Sequence, residues 1–261
     1  MIEENKYQIS ALIWAEEKIE EKIFFRCLKS LSWCHQILLI NIPSSFLKNI
    51  PPKIKEKVTR LELSGNQIKQ LNMAIKKAKT RWIFFVKANE QISKELAQEI
   101  KKFIQRADKE GYTGAFVIHQ NKIFHQKINY GRWGKKKVLR IGRRVGEWQK
   151  NISLVWHFPG QKEVLSTPLI AHPHLNLTNF LKEIDIETSE KAKVLYQEGK
   201  KTNLFNLFFF PLLEFLNSYF WQGGILDKGA GFILAVLSSF EVFLTRAKLW
   251  VLWRQNGGWQ R

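Results

Sequence analysis

The chain has 261 residues, of which 45% are hydrophobic and 13% aromatic, enough to bury one large α/β domain, with or without a helical appendage. Its 42 Lys and Arg against 23 Asp and Glu give a net charge of +19, which suits an anionic membrane, a nucleotide-sugar or a nucleic acid. The two cysteines lack a C-x-x-C spacing, which argues against a disulfide scaffold or zinc site and fits a reducing cytosol. Residues 1–8 are polar and lack the basic start and apolar run of a signal peptide.

Strand and helix patterns alternate through the first 120 residues. Short apolar runs predict strands at 7–14, 36–42, 57–63, 82–86 and 114–120. Amphipathic patterns predict a helix ending near Leu31, a helix over 66–79, and a helix over 93–107 with Ser93 as its N-cap. Strands that alternate with helices of this length indicate βαβ units and a mostly parallel sheet.

The composition changes after residue 120. Residues 121–150 contain ten Lys or Arg and one acidic residue, with aromatic residues interleaved. A polar helix is predicted next, over 177–198, followed by two strongly apolar segments, 204–221 and 231–253. The predicted division is therefore an α/β domain up to residue 175 and a helical, membrane-associating region over 176–261.

Eight segments with a fixed order and spacing extend over most of the chain. They are RCLKSLSW (26–33), NMAIKKAKTRWIFFV (72–86), KANEQISKELAQEI (87–100), VLR (138–140), RR (143–144), TPLIAHPH (167–174), LYQEGKK (195–201) and GFILAVLSSFEVFLTRAKLW (231–250). Together they resemble bacterial family 2 glycosyltransferases of the lipopolysaccharide-core glucosyltransferase type. The resemblance implies a GT-A-like α/β fold, in which a nucleotide-sugar-binding sheet has helices on both faces, with a C-terminal apolar helical region.

The resemblance also implies a chemistry. The family's substrates are an activated sugar and a lipid-linked or glycan acceptor. Asp side chains after the first two strands hold the nucleotide, and an Asp-x-Asp after the fourth strand holds Mg²⁺ or Mn²⁺, which prefer hard oxygen ligands. A further carboxylate takes the proton from the acceptor hydroxyl as general base.

The chain departs from this pattern at three places. Asn41 follows the second strand where the family has Asp, and Lys87 and Asn89 occupy the two metal-ligand positions. The base carboxylate falls on Leu154 in the best register. Because a Lys ammonium has only donors and repels a cation, we predict no stable Mg²⁺ or Mn²⁺ site at 87–90 and no metal cofactor. The catalytic residues stay unassigned.

Four residues near the altered motif are candidate substrate-binding residues: Asn72, Lys87, Asn89 and Glu90. Lys87 either places a fixed positive charge against a diphosphate, as the metal would, or marks a site no longer in use. Glu90 is either a surviving acidic group of the site or an exposed loop residue before the following helix. Asn72 either faces substrate or lies on a helix surface.

Two other groups of residues have alternative interpretations. His157, His172 and His174 have no Cys or Asp cluster beside them, so structural or solvent-facing roles are favoured over a metal site. The cations of 121–150 could bind nucleic acid with aromatic stacking, but no nucleic-acid-binding motif accompanies them. A basic flank that faces anionic lipid or phosphorylated glycan explains them equally well.

The C-terminal apolar segments predict a protein on the cytoplasmic face of the cell membrane, peripheral or monotopic. Neither segment has a clean run of about 20 apolar residues, the length that spans a bilayer. The interrupting residues are Pro211, Glu214, Glu241, Arg246 and Lys248. Interfacial helices beside an anionic membrane surface therefore fit best, and a tilted span over 229–250 is the alternative.

Three functions follow from the sequence, and whether the chain is an enzyme stays open. The first is an atypical or weakly active glycosyltransferase of cell-surface glycan or lipopolysaccharide biosynthesis. The second is a catalytically inactive binding or partner protein with the same fold. The third is a nucleic-acid-binding protein, which has only charge in its favour. The fold alone does not choose between the first two.

Overall fold

The structure, a computed structural model, describes residues 9–15, 19–123, 126–150, 154–172 and 177–255. The described chain divides into two compact units. The first unit contains residues up to 119 together with 136–171, and the second contains 120–135 together with the residues from 172 onward. The sequence-based division at residue 175 stays a prediction.

Eleven strands occur among the described residues. They are β1 (Ile9–Trp14), β2 (Gln36–Ile40), β3 (Val58–Leu61), β4 (Trp82–Lys87), β5 (Glu90–Gln91), β6 (Tyr112–Ile123), β7 (Gln126–Lys127), β8 (Lys136–Arg143), β9 (Glu147–Lys150), β10 (Leu154–His157) and β11 (Gln161–Ala171). The helices are α1 (Glu21–Ser30), α2 (Pro52–Lys55), α3 (Gln67–Lys77), α4 (Lys94–Ala107), α5 (Leu177–Gln197), α6 (Leu204–Leu216) and α7 (Lys228–Gln255).

The first half of the main sheet is parallel. Its strand order is β3-β2-β1-β4-β8-β6-β11-β5, and β1 is parallel to both β2 and β4. Every residue of β1 and β2 is buried, which explains why these strands are continuous apolar runs in the sequence. The predicted parallel arrangement of the first, second and fourth strands is confirmed, although residues 7 and 8 lie outside the described chain.

The second half of the sheet is antiparallel. Strand β8 runs antiparallel to β4 and β6, and β11 runs antiparallel to β5. The prediction of a mostly parallel sheet is therefore wrong, because the sheet is mixed. The basic region 121–150 contains β8 and β9, and β8 begins with the exposed Lys136 and Lys137 before its buried residues Arg140, Ile141 and Gly142.

Helices cover both faces of the sheet, as the sequence predicts. On one face α1 and α4 pack Phe24, Leu28 and Phe103 into the larger hydrophobic cluster. On the other face α3 and the β9–β10 hairpin form a second cluster with β1 and β4. The predicted cap of α4 is also confirmed, since Ser93 Oγ accepts a hydrogen bond of 3.1 Å from the backbone N–H of Leu96.

The second unit is built from α5, α6, α7 and the segment 120–135. Polar contacts tie the segment to α7 and to the turn before it. The carboxylate of Glu241 on α7 lies 2.8 Å from Arg132 Nη2 and 2.5 Å from Lys191 Nζ on α5. Asp227 accepts hydrogen bonds of 2.9 and 2.8 Å from the backbone N–H groups of Asn129 and Tyr130. The charged residues within the apolar C-terminal sequence thus have specific partners inside this unit.

The helices α6 and α7 and the turn between them expose many large apolar side chains. These are Leu204, Phe205, Phe208, Phe209, Leu212, Leu213, Phe220, Trp221, Ile225, Leu226, Phe232, Ile233, Val236 and Phe240, together called the apolar face. The helical stretch Gly224–Gln255 is longer than the sequence predicted and is long and apolar enough to cross a membrane, by length and composition alone.

Packing at Gly142 on β8 provides a test of the sheet. A Cβ at this position would lie 2.6 Å from the ring of Phe158, which covers β8. We expect Gly142→Ala to lower the free energy of unfolding by about 1–3 kcal/mol, because overpacking forces neighbouring groups to shift. Urea denaturation measures the effect. The control is Gly229→Ala on α7, where a Cβ would meet nothing within 4 Å. Equal losses in the two variants would contradict the packing argument.

Candidate functional site

The strand order places a crevice at the ends of β1 and β4. The chain moves outward from β1 to β2 and β3 and then returns to β4 on the other side of β1. In open α/β sheets, ligands bind outside the carboxyl ends of the strands at such a switch point. The two strands end together, because Trp14 of β1 is paired with Lys87 of β4. The topology therefore assigns the candidate site to this edge of the sheet.

A cavity of about 530 Å³ lies at this point and is called the switch-point cavity. Its volume is in the range of small-molecule sites. Its lining residues are Trp14, Phe85, Lys87, Phe116, His119, Lys137, Val138, Leu139, Arg140, Trp148, Val155 and Trp156. Of the four sequence-predicted candidates, the structure places Lys87 in this lining, and Asn72, Asn89 and Glu90 outside it.

Aromatic rings form one wall of the cavity. The rings of Phe85 and Trp148 have centroids 4.7 Å apart, and Trp148 stacks on Trp156 at 5.8 Å with an interplanar angle of 13°. The Asn72 side chain binds the backbone of Trp148. Its Oδ1 accepts a 2.7 Å hydrogen bond from the backbone N–H of Trp148, and its Nδ2 donates to the Trp148 carbonyl at 3.3 Å. The Asn72 amide thus fixes the wall to α3, and any role in contacting substrate stays a prediction.

Cationic side chains occupy another part of the lining. Lys87, Lys137 and Arg140 line the cavity together with His119, and none of the lining residues, all of which the structure describes, is acidic. The carboxylate of Glu90 lies next to this group. Its Oε1 accepts from Arg140 Nη2 and lies 3.2 Å from His119 Nε2, while its Oε2 accepts from the Lys87 backbone N–H at 2.7 Å.

The environment of Glu90 keeps its carboxylate ionised. Burial by itself would raise the pKa of Glu90, which is 1% exposed. The positive charge of Arg140 more than offsets the effect of burial, together with the hydrogen bond and charge of His119 and the backbone N–H of Lys87. The pKa of Glu90 is therefore held below its usual range. The interpretation of Glu90 as an exposed loop residue is therefore wrong, because three groups from β4, β6 and β8 enclose it.

The turn between β4 and β5 is tightly held. The backbone N–H of Ala88 donates to the Trp14 carbonyl at 2.9 Å, and Cys27 Sγ donates to the Lys87 carbonyl at 3.6 Å. Asn89 Oδ1 is buried and has no hydrogen-bond partner among the residues that the structure describes. Asn89 is therefore part of a fixed turn beside the cavity.

The residues at 87–90 do not fit a divalent cation. Both oxygens of Glu90 are bound by donors, Asn89 provides one neutral oxygen, and Lys87 carries a positive charge. In the described part of the chain, no group of three His, Cys, Asp or Glu side chains is placed to hold a metal ion. His174 and residues 151–153 lie outside the described residues, as does the side chain of Leu154.

A second, more open cavity of about 400 Å³ lies after β2 and β3, beside Asn41, Arg60 and Glu62. Asn41 has a left-handed backbone conformation with φ of 57°, and its Nδ2 donates to Gln70 Oε1 at 2.9 Å. Asn tolerates this conformation better than most residues, so a structural role as a turn residue accounts for it.

Most of the cavity's polar residues lie outside the motif at 87–90. His119, Lys137 and Arg140 come from β6 and β8, which follow the motif by about 30 to 50 positions. For Lys137 and Arg140 the available signal is the density of cations and aromatic residues in 121–150, whereas His119 lies outside that region. Several of these cations are structural: Arg143 pairs with Asp108 at 2.7 Å, and Arg144 donates to the Ala78 carbonyl at 2.7 Å. The region is therefore not simply a solvated basic flank.

Known proteins with similar sequences or structures are consistent with the fold described above. No family model matches the chain. A protein of Rickettsia felis described as an uncharacterised glycosyltransferase is 24% identical over 180 residues, which cover 64% of this chain and 63% of the relative. A similar protein of Rickettsia conorii is 22% identical over 180 residues, which cover 64% of each chain. The chain thus spans slightly less than two thirds of the length of these curated relatives.

Among solved structures, the chain is similar to a mannosyltransferase of Pyrobaculum calidifontis in complex with GDP-mannose and Mn²⁺. The TM-score is 0.52 at 9% sequence identity, covering 95% of this chain and 88% of the other. At this identity the likeness concerns the fold. The chain has a GT-A-like α/β fold with a central mixed sheet and a long C-terminal apolar helix.

The Glu90 environment predicts a pH-dependent stability. Its pKa is lower in the folded chain than in the unfolded chain, so its contribution is complete above the unfolded value of about 4.3 and is lost as the pH falls through the folded value. We expect Glu90→Gln to lower the free energy of unfolding by about 3–5 kcal/mol at neutral pH, because Arg140 then stays buried without its counter-ion.

Urea denaturation between pH 7 and pH 3 measures both effects. The variant should show a smaller loss of stability on acidification than the wild type. The matched control is Glu62→Gln, since Glu62 is exposed and pairs with Arg60 at 2.5 Å on the surface. A surface pair of this kind contributes about 0–1 kcal/mol. If Glu90→Gln is no more destabilising than Glu62→Gln, the inference about Glu90 is wrong.

Proposed function

We propose that the chain is a family 2-type glycosyltransferase of cell-surface glycan or lipopolysaccharide biosynthesis that binds a nucleotide-sugar in the switch-point cavity. The observation that carries the proposal is the cavity itself, at the ligand-binding edge of a GT-A-like sheet. The glycosyltransferase description of the two Rickettsia relatives and the GDP-mannose held by the structural neighbour support it. The acceptor would be a lipid-linked sugar or glycan, as the sequence resemblance implies.

The proposed activity is atypical and weak. The lining residues include no carboxylate that could act as a general base, and the neighbouring Glu90 is occupied by Arg140 and His119. His119 is the lining side chain best suited to accept a proton from an acceptor hydroxyl, with Glu90 orienting its imidazole. The alternative is a catalytically inactive protein that binds the same nucleotide-sugar or a partner.

We further propose that the second unit associates with the cytoplasmic face of the membrane through the apolar face. Side chains such as Phe205, Phe208 and Trp221, which are 67%, 69% and 81% exposed, would enter the headgroup region. Arg254 stacks over Trp250 at 4.2 Å, a pairing that suits the membrane–water interface. The ion pairs of Glu241 occupy the other side of α7, which supports an interfacial position over a lipid-surrounded span.

Calorimetric titration with a panel of UDP- and GDP-sugars tests the donor site. We expect binding in the presence of EDTA that Mn²⁺ does not strengthen, because the residues at 87–90 do not fit the metal. Val155→Glu, at an exposed lining position, should weaken binding about tenfold by placing a negative charge near the phosphates. Val145→Glu, at an exposed position outside this lining, is the control.

Absence of binding for the whole panel, or equal effects of the two variants, would contradict the proposed donor site. Release of free nucleotide on incubation with donor and bacterial glycolipid would identify an enzyme. Binding without release would favour the inactive alternative.

Vesicle co-sedimentation tests the membrane proposal. We expect the full chain to sediment with phosphatidylglycerol vesicles, and the triple variant Phe205→Ser, Phe208→Ser and Leu212→Ser to bind at least about tenfold more weakly, because apolar burial is lost. High salt should weaken the association without abolishing it. A control triple variant replaces the exposed apolar residues Met73, Val145 and Val164 of the first unit. Equal binding by both triple variants would overturn the assignment of this face.

A further inference from the structure

We propose that the switch-point cavity binds a phosphate or diphosphate group directly, with the cations of Arg140, Lys87 and Lys137 in the place that a divalent metal would take. The inference deepens the proposed function, since the phosphate would belong to the nucleotide-sugar. It concerns this chain's own residues, and it follows from the disagreement between the residues at 87–90 and a metal site.

The charge of the lining favours an anion. Three cations line the cavity with no acidic residue among them, and Glu90 beside it offsets one of the three. Aromatic rings also line the cavity, and low-dielectric walls concentrate the field of nearby charges. The result is a cavity with a net positive charge next to flat apolar rings. A phosphate attached to a ring-containing group matches both features.

Arg140 is the fixed element of the cation set. Its side chain is 5% exposed, is bound to Glu90, and lies over the Phe85 ring at 5.2 Å from the centroid. A guanidinium already held in place loses little conformational freedom when it binds a phosphate, and its planar donors match phosphate oxygens. Its position is therefore set before any ligand arrives.

The unused hydrogen-bonding groups around the cavity are mainly donors. Arg140 Nε and the indole Nε1 atoms of Trp14 and Trp156 are buried and have no hydrogen-bond partner among the described residues. All three belong to lining residues. Because these groups can only donate, they add no acceptor to the lining that would attract a cation.

Calorimetry with inorganic pyrophosphate in EDTA tests the inference on the full chain. Lys136 and Lys137 are adjacent exposed residues of β8, and of the two only Lys137 lines the cavity. Successive side chains of a strand point to opposite faces, so the pair gives a matched comparison. We expect Lys137→Gln to weaken pyrophosphate binding about tenfold and Lys136→Gln to change it by less than about twofold.

A second variant removes the fixed cation without leaving an unpaired buried charge. The double substitution Glu90→Gln with Arg140→Met neutralises both members of the buried pair together, which is tolerated far better than removing one. We expect it to weaken pyrophosphate binding at least about tenfold while circular dichroism stays that of the wild type. Unchanged pyrophosphate affinity in this folded variant would overturn the role of Arg140.

The outcomes separate this inference from the proposed function. Pyrophosphate binding that requires Mn²⁺, or equal losses in Lys137→Gln and Lys136→Gln, overturns the metal-free phosphate site. Nucleotide-sugar binding that is unaffected by Lys137→Gln overturns it as well but leaves the proposed function standing. Metal-free pyrophosphate binding that depends on Lys137, with no binding of any nucleotide-sugar in the panel, supports the site and overturns the proposed donor.

Discussion

The carboxylate of Glu90 is the group on which the candidate site depends. It begins β5 and binds the backbone of β4, Arg140 of β8 and His119 of β6, so that one side chain joins four strands. A buried charge is tolerated only when its partners satisfy it, and here the partners come from segments far apart in sequence. The cavity-facing position of Arg140 and the fixed turn at 87–90 both follow from this arrangement. A carboxylate already shared by these donors is not available to a metal ion.

The parallel half of the fold could be predicted from the sequence because its signals are local. Buried strands such as β1 and β2 are continuous apolar runs, and the cap of α4 lies within one helical turn of Ser93. Of the antiparallel half, β6 contains the strand predicted at 114–120, whereas the Lys and Arg residues of β8 favour a basic flank over a strand. A strand that carries several cations is difficult to recognise from local pattern alone.

The candidate site was only partly accessible to the same reasoning. The sequence identified the altered motif at 87–90 and placed Lys87 at the site, because that motif lies directly after a strong strand signal. The partner of Glu90 is 50 positions away on a strand that was not predicted, so no local rule could reveal that the acid is buried. For Asn72 the sequence leaves contact with substrate and a position on the helix surface open. In the structure its amide is bound to the backbone of Trp148, and contact with substrate stays a prediction. A side chain whose partner lies far away in the sequence cannot be recognised from the spacing of nearby residues.

The segment 120–135 has a consequence for how the chain can be divided. It belongs to the second unit although it begins within β6 and ends just before β8, two strands of the main sheet, so the polypeptide passes between the units three times. A truncated chain ending near residue 175 would keep this segment and lose α7, leaving Arg132 without Glu241 and the N–H groups of Asn129 and Tyr130 without Asp227. The two units are therefore not modules that gene fusion or recombination could exchange at one junction.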